Sequence, residues 1–158
     1  MISGPISGWR IVKRAFAKQA FDGEGARRYG GRWNSPGRPA VYLGGTPAVA
    51  ALEVLAHNAR PGLLATSFVI IEARLPEDSV MDLDPSALPG SWNDPADTSG
   101  TAAIGDAWLE SRASLALRVP SAVLPLERNL VVNVHHPRFV DIEIGEARPF
   151  VFDPRLAV

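Results

Sequence analysis

Residues 30–57 read GGRWNSPGRPAVYLGGTPAVAALEVLAH, and the fold of the chain is read outward from this stretch. Residues 40–43 form a short apolar run that predicts a strand. Thr46-Pro47 then offers an N-cap hydroxyl followed by proline at the first helical position, so a helix is expected from here to about residue 58. Pro61-Gly62 is the expected stop. Within the helix, Glu53 is the only charged residue from Pro47 to Ala56. A helix apolar all round is normally buried. A buried carboxylate without partners is costly, so Glu53 must meet a cation, hydrogen-bond donors or a polar cleft. A structural ion pair and a catalytic carboxylate at a cleft wall both fit.

Outward from this core, residues 6–12 and 66–75 read as strands, the second rich in β-branched and apolar side chains. Residues 14–21 suit a short helix or an irregular arm, and residues 22–39 read as a row of turns. Residues 76–95 are loop-rich, with one turn of helix expected near 85–88. Ile104, Ala107, Trp108 and Leu115 recur at helical spacing, predicting a helix over 101–116. Strands are expected at 116–123, interrupted by Pro120, at 130–134, at 139–144 by strict alternation, and at 149–153 on an edge. Gly and Pro number 28 of 158 residues and are spread evenly, which suggests many short elements and no linker. Several short strands with two or three helices imply an α+β fold built as one domain over residues 1–158.

Composition excludes whole classes. Hydrophobic residues are 46% and charged residues 21%, so a disordered chain is ruled out. Cysteine is absent, which excludes disulfides, thiolate zinc sites and thiol catalysis. No apolar run approaches the ~20 residues of a membrane span, and the N-terminus lacks a signal-peptide pattern, so a cytoplasmic protein without membrane contact is expected. Residues 1–38 carry eight Lys/Arg and two Asp/Glu, whereas residues 39–158 carry eight and fifteen. A basic quarter suits an anionic ligand or nucleic acid, or is neutralised by the acidic remainder of the fold. Aromatic residues are not interleaved with basic ones as a single-strand platform needs, so direct nucleic-acid binding is not expected.

Several residue types could carry chemistry. In Gly30-Gly31-Arg32-Trp33-Asn34-Ser35, two glycines allow close backbone approach, and Arg32 supplies a planar fork for phosphate or carboxylate. The glycines are not followed by GK[ST], and Gly23-Glu24-Gly25 lacks a third glycine at Rossmann spacing. Tyr42 sits where a strand and turn bring it near the helix start. Ser121 in VPSAV is outside any GxSxG elbow, and a buried hydroxyl bonded to backbone is its ordinary fate. His57, His135 and His136 have no metal-site spacing, so no metal is expected. Asn129 and Asn133, with His135-His136-Pro137, offer amides at a strand end.

These segments, in order, resemble the RES-domain family, the toxin half of RES–Xre toxin–antitoxin pairs. The arginine, glutamate and serine of the family name correspond to Arg32 in GGRWNS, Glu53 in ALEVLAH and Ser121 in PSAV. Softer matches are Trp9-Arg10-Ile11, residues 21–26, residues 129–137 with Asn133, and residues 152–156; residues 76–118 match nothing. The resemblance implies an ADP-ribosyltransferase-like fold, with short strands forming a split sheet around an NAD cleft. It implies a toxin that cleaves NAD between nicotinamide and ribose, as a glycohydrolase or phosphorylase, or alternatively an ADP-ribosyltransferase acting on a protein. NAD is then substrate, and no cofactor is needed. Glu53 would stabilise the ribosyl cation, Arg32 would hold ribose or pyrophosphate, and Tyr42 would stack on nicotinamide. Ser121 would bond a ribose hydroxyl or position Glu53, Arg10 would be a second anion contact, and Asn133 a further contact. Exchanging Arg32 and Arg10 between ribose and phosphate is equally consistent. The implied partner is a helix-turn-helix, Xre-like antitoxin that occludes the active site, with room for a homodimer inside a larger complex. A non-catalytic binding module and a plain structural partner subunit are the remaining alternatives.

Overall fold

The computed structural model describes residues 4–58 and 62–156. Pro61, the expected helix stop, lies outside the described residues. Eight strands join one sheet: β1 (Ile6–Lys13), β2 (Val41–Gly44), β3 (Phe68–Leu75), β4 (Val80–Asp82), β5 (Ala116–Pro120), β6 (Arg128–Val132), β7 (Glu143–Ile144) and β8 (Arg148–Phe150). Their order is β4-β5-β6-β2-β1-β3-β7, with β8 also on β3. All pairings are antiparallel except β4 with β5. The α+β class is as expected, and the sheet is split in its middle. β1 pairs along its full length with β3, yet meets β2 only at Trp9↔Gly44. Arg10 bridges part of that gap, its Nη1 donating to Tyr42 O at 3.1 Å and its Nε to Ala20 O at 2.5 Å.

Among the described residues, three α-helices accompany the sheet: α1 (Glu24–Tyr29), α2 (Pro47–His57) and α3 (Ser99–Ser111). The start of α2 is as the sequence predicts, with Thr46 Oγ1 accepting from Val49 N–H at 3.1 Å and proline in the first turn. Gly44 is required here, because a Cβ would lie 2.7 Å from Ala50 N and push the helix off the strand. The helix is not engulfed: only Val49 and Ala50 are buried, with Trp9, Ile11 and Phe68 among the side chains packed beneath it. One apolar cluster, with Val41, Leu43, Leu75, Leu115 and Leu130, lies on the other side of the sheet. Another, with Trp33, Trp108, Leu117 and Val131, lies under α3.

Four segments differ from expectation. Residues 24–29 are helical, because Asp22 Oδ1 caps Glu24 N–H, Glu24 pairs with Arg27, and Gly37 N–H and Asn34 Nδ2 satisfy carbonyls of the last turn. β4 forms inside the loop-rich stretch because β5 lies parallel beside it, a pairing local pattern does not report. The alternating run 139–144 is a 3-10 turn over Pro137–Asp141 followed by the two-residue β7. His136 caps that turn, Arg138 bridges to Asp141 and Asp78, and Val140 is left exposed, so the period has no second apolar face to bury. α3 ends at Ser111, where Arg112 takes a left-handed conformation with φ 54°. Among the described residues, no helix is long and apolar enough to cross a membrane.

Candidate active site

Glu53 projects from the second turn of α2 to the loop end of the β5–β6 hairpin. Its Oε1 accepts two hydrogen bonds, from Ser121 Oγ at 2.7 Å and from Asn129 Nδ2 at 2.8 Å. The Glu53 side chain retains 24% of its exposure, and its second oxygen, Oε2, lies 3.8 Å from His57 Nδ1. His57 Nδ1 is closer to Glu53 O, at 2.7 Å, and bonds there. Donors therefore satisfy one carboxylate oxygen and leave the other turned to a polar surface, which meets the requirement set by an acidic group in an apolar helix.

Ser121 is fully buried and fully used. While its proton goes to Glu53, its oxygen accepts Val123 N–H at 3.2 Å and Leu124 N–H at 3.1 Å. A hydroxyl has one donor and two acceptor sites, so of the two roles set out for Ser121 this geometry is that of a positioner of Glu53. Asn129 completes the cluster. Sequence reading noted its amide at a strand end but gave the binding role to Asn133. Asn133 sits past the other end of β6, about 13 Å along the strand. There its Nδ2 donates to Leu109 O at 3.1 Å and its Oδ1 accepts His135 N–H at 3.0 Å, so it is not brought to Glu53. Register marks the difference: Asn129 lies opposite both Gly44 and Val119, beside the root of α2. Asn129 Oδ1 is buried with no hydrogen-bond partner among the described residues.

Tyr42 stands two residues before Gly44 on the same face of β2, about 7 Å away. Its hydroxyl donates to Asn34 Oδ1 at 2.6 Å and accepts Trp33 N–H at 3.0 Å. Burial pushes its pKa well above the ordinary tyrosine value, and Asp106 adds to the rise. Buried Asn34 spends its Nδ2 on the carbonyls of Ala26, Ser35 and Arg38. Tyr42 and Asn34 thus lock the segment that carries Arg32.

The stretch 76–118, silent in the sequence, builds the rest of this cradle. Thr101 Oγ1 on α3 donates to Arg32 O at 2.6 Å, and Asp106 Oδ1 accepts Ser35 N–H at 2.9 Å. Between them Gly105 faces Trp33 O, where a Cβ would sit only 1.7 Å away, so glycine alone permits the contact. The Arg32 guanidinium has no carboxylate in ion-pair range among the described residues. It donates instead to backbone carbonyls, Nη1 to Trp92 O at 2.7 Å and both Nη1 and Nη2 to Asp94 O at 3.3 Å. Part of the remaining basic quarter is ion-paired, with Arg27 and Arg28 sharing Glu24, and Arg38 between Asp106 and Glu110. Arg10 is tied to Ala20 O and Tyr42 O. Burial lowers its pKa, and Asp22 partly offsets that.

Arg32 and Glu53 therefore flank one strip of the β2–β6 face, the first held over Tyr42 and the second over Asn129. Two shallow cavities, of about 280 and 410 Å³, lie elsewhere, the first reaching Thr46 and Arg128 and the second Lys18 and Phe139. Neither contains Arg32 or Glu53, and the chemistry of the side chains locates the site better than concavity does. Among the described residues, no three His, Cys, Asp or Glu side chains are grouped to hold a metal.

Comparison with known proteins bears on the family and the fold. The model of the family described as RES domain matches residues 7–153. Toxin Res of Photorhabdus laumondii subsp. laumondii is 40% identical over 125 residues, covering 79% of this chain and 80% of that protein. The Prs ADP-ribosylating toxin of a Sphingobium species is 34% identical over 155 residues, covering 94% of each. Among solved structures, the M. tuberculosis MbcT–MbcA toxin–antitoxin complex contains a chain of the same fold. Its TM-score is 0.78 at 24% identity, covering 95% of this chain and 86% of that one.

Proposed function

The chain belongs to the RES-domain family, and from that premise we propose that it is the toxin of a toxin–antitoxin pair that breaks the nicotinamide–ribose bond of NAD. The observation that carries this reading is Glu53, a carboxylate with one oxygen fixed by Ser121 and Asn129 and the other uncommitted, together with Arg32, whose guanidinium has no carboxylate in ion-pair range among the described residues. The glycosidic electron pair leaves with nicotinamide, which departs neutral and needs no general acid. The ribose is left as an oxocarbenium ion, as in glycoside cleavage. Glu53 Oε2 accepts a hydrogen bond from the ribose 2′-hydroxyl and offsets the growing positive charge. Arg32 takes the pyrophosphate or the ribose with its remaining donors. The exposed part of Tyr42 stacks on nicotinamide, and Arg10 and Asn133 act from behind, through the backbone they hold. Water or phosphate then supplies the oxygen that bonds to the ribose carbon, and its proton goes to solvent.

Transfer of ADP-ribose to a protein is the second reading, favoured by the Sphingobium relative that is named for ADP-ribosylation. The cleft and bond broken are the same, and only the acceptor differs. The partner in either reading is a helix-turn-helix, Xre-like antitoxin whose inserted segment covers Arg32 and Glu53 in the cytoplasm. The test is incubation of purified protein with NAD, with and without phosphate, and chromatography of the products. Nicotinamide with ADP-ribose means hydrolysis, nicotinamide with phosphorylated ADP-ribose means phosphorolysis, and ADP-ribose on protein means transfer. No release of nicotinamide under any condition overturns the reading in favour of a binding module. Saturating antitoxin should abolish NAD binding, whereas undiminished NAD affinity in the complex would show that inhibition acts from a distance.

A further inference from the structure

Residues 89–98 contain no strand or helix, yet they reach Arg32. The segment closes through its own turns: Trp92 N–H donates to Pro89 O and Asp94 N–H to Ser91 O, each at 3.0 Å, and Ala96 N–H to Asp94 Oδ1 at 2.9 Å. The Trp92 side chain is half-buried against the cluster of Trp33, Trp108 and Leu117 and anchors the segment to the core. The carbonyls of Trp92 and Asp94 then occupy three of the five guanidinium N–H groups of Arg32, all at its Nη1/Nη2 end. The other two, on Nε and Nη2, lie along one edge and have no partner among the described residues. That edge is itself a two-donor fork of the kind that meets phosphate oxygens or paired hydroxyls. Carbonyls are neutral, so they fix the direction of the fork without cancelling its charge as a carboxylate would.

We propose that Trp92 is a positioning residue for Arg32, pinning segment 89–94 so that its carbonyls turn the Nε/Nη2 edge of the guanidinium toward the substrate phosphate or ribose. The proposal rests on the NAD reading for the identity of the ligand and on the hydrogen bonds for the orientation. The opposite arrangement, in which the segment covers Arg32 and substrate must displace it, uses the same contacts and has the opposite sign.

The experiment compares wild type, Trp92→Ala, Trp92→Phe, Arg32→Ala and the double variant. It reads KM and kcat for nicotinamide release from NAD, the calorimetric affinity for ADP-ribose, and the melting temperature of each protein. Loss of an oriented contact to a charged group should raise KM and weaken ADP-ribose binding by about tenfold or more in Trp92→Ala, with kcat changed less. Trp92→Phe should restore both to within about threefold, since a ring still fills the anchor site. In the Arg32→Ala background, Trp92→Ala should add nothing, because its effect passes through the arginine. If Trp92→Ala does not fold, Trp92→Leu is compared in its place. An undiminished loss in the Arg32→Ala background, or an unchanged KM, overturns the proposal, and a lowered KM replaces it with the cover. A wild type that leaves NAD intact but binds ADP-ribose with this pattern overturns the NAD-cleavage reading and supports the positioning role. Binding of neither molecule overturns both.

Discussion

Replacing Glu53 by glutamine removes a charge and almost nothing else. The carbonyl oxygen of the amide can take the place of Oε1 and keep the bonds from Ser121 at 2.7 Å and Asn129 at 2.8 Å. The amide nitrogen then occupies the position of Oε2, toward His57. A hydrogen bond to a charged group contributes about 1.5–3 kcal/mol and a neutral one about 0.5–1.5, so two weakened bonds on a partly exposed side chain cost roughly 1–2 kcal/mol. For a chain of this length that lowers Tm by roughly 2–8 °C. Against a typical stability of about 5–15 kcal/mol, the variant stays folded at 25 °C. The rate is another matter, because one electrostatic contact made to the transition state is worth about 10²–10³. Glu53→Gln should therefore retain the circular dichroism of wild type and melt lower only by that margin, while its nicotinamide release falls by the factor of about 10²–10³. Turnover within a few-fold of wild type would make Glu53 a structural carboxylate and refute its place in catalysis.

Arg32→Lys keeps the charge but cannot hold Trp92 O and Asp94 O while presenting a second fork, so NAD affinity should fall about tenfold or more by calorimetry; unchanged affinity would remove Arg32 from the anion contact. Gly105→Ala places a Cβ 1.7 Å from Trp33 O, backbone that cannot rotate away. It should cost about 3 kcal/mol, the upper end of ordinary overpacking, and lower Tm by roughly 6–12 °C; a Tm within 2 °C of wild type, on the order of the smallest shift such a clash gives, would mean that α3 does not carry the Arg32 segment. The neutral phenol of Tyr42 is favoured in the fold, so above about pH 10 the unfolded chain has lost that proton and the native state has not. Stability from this group is complete below pH ~10 and declines as pH rises beyond it, by up to about 1.4 kcal/mol per pH unit. Urea unfolding at pH about 9 and 11 should show that decline in wild type and a smaller one in Tyr42→Phe, and equal declines would sink the assignment.

Much of the local structure was legible because it rests on short-range chemistry. Thr46-Pro47 announces the start of α2 since the cap and the fixed proline φ act within one turn. The β-branched run of β3 is apolar because that strand is covered, and its limits nearly coincide with the expected ones. The alternation of residues 139–144 misled, because period two describes a strand only when one face is buried, and Val140 faces solvent.

For the site, the sequence alone determined which residue types are available: a lone glutamate in an apolar helix, an arginine after paired glycines, and a serine in an apolar stretch. Their order and spacing were enough for the family to be named. The tertiary structure decided which of them meet. Asn129 and Asn133 are the same amide four positions apart, one inside β6 and one just past its end, and only strand register shows that the first shares a hydrogen-bonded cluster with Glu53 while the second serves Leu109 and His135. Arg10 and Arg32 are alike as sequence, but one bridges the split between β1 and β2 while the other is oriented by a distant loop. Residues 76–118 carried no motif, yet Thr101, Gly105 and Asp106 hold the backbone from Arg32 to Ser35. Side-chain identity is a local property that composition and spacing report. Hydrogen bonds such as those across 60 to 76 residues here depend on how the sheet and helices are docked, and that is set by packing of the whole chain.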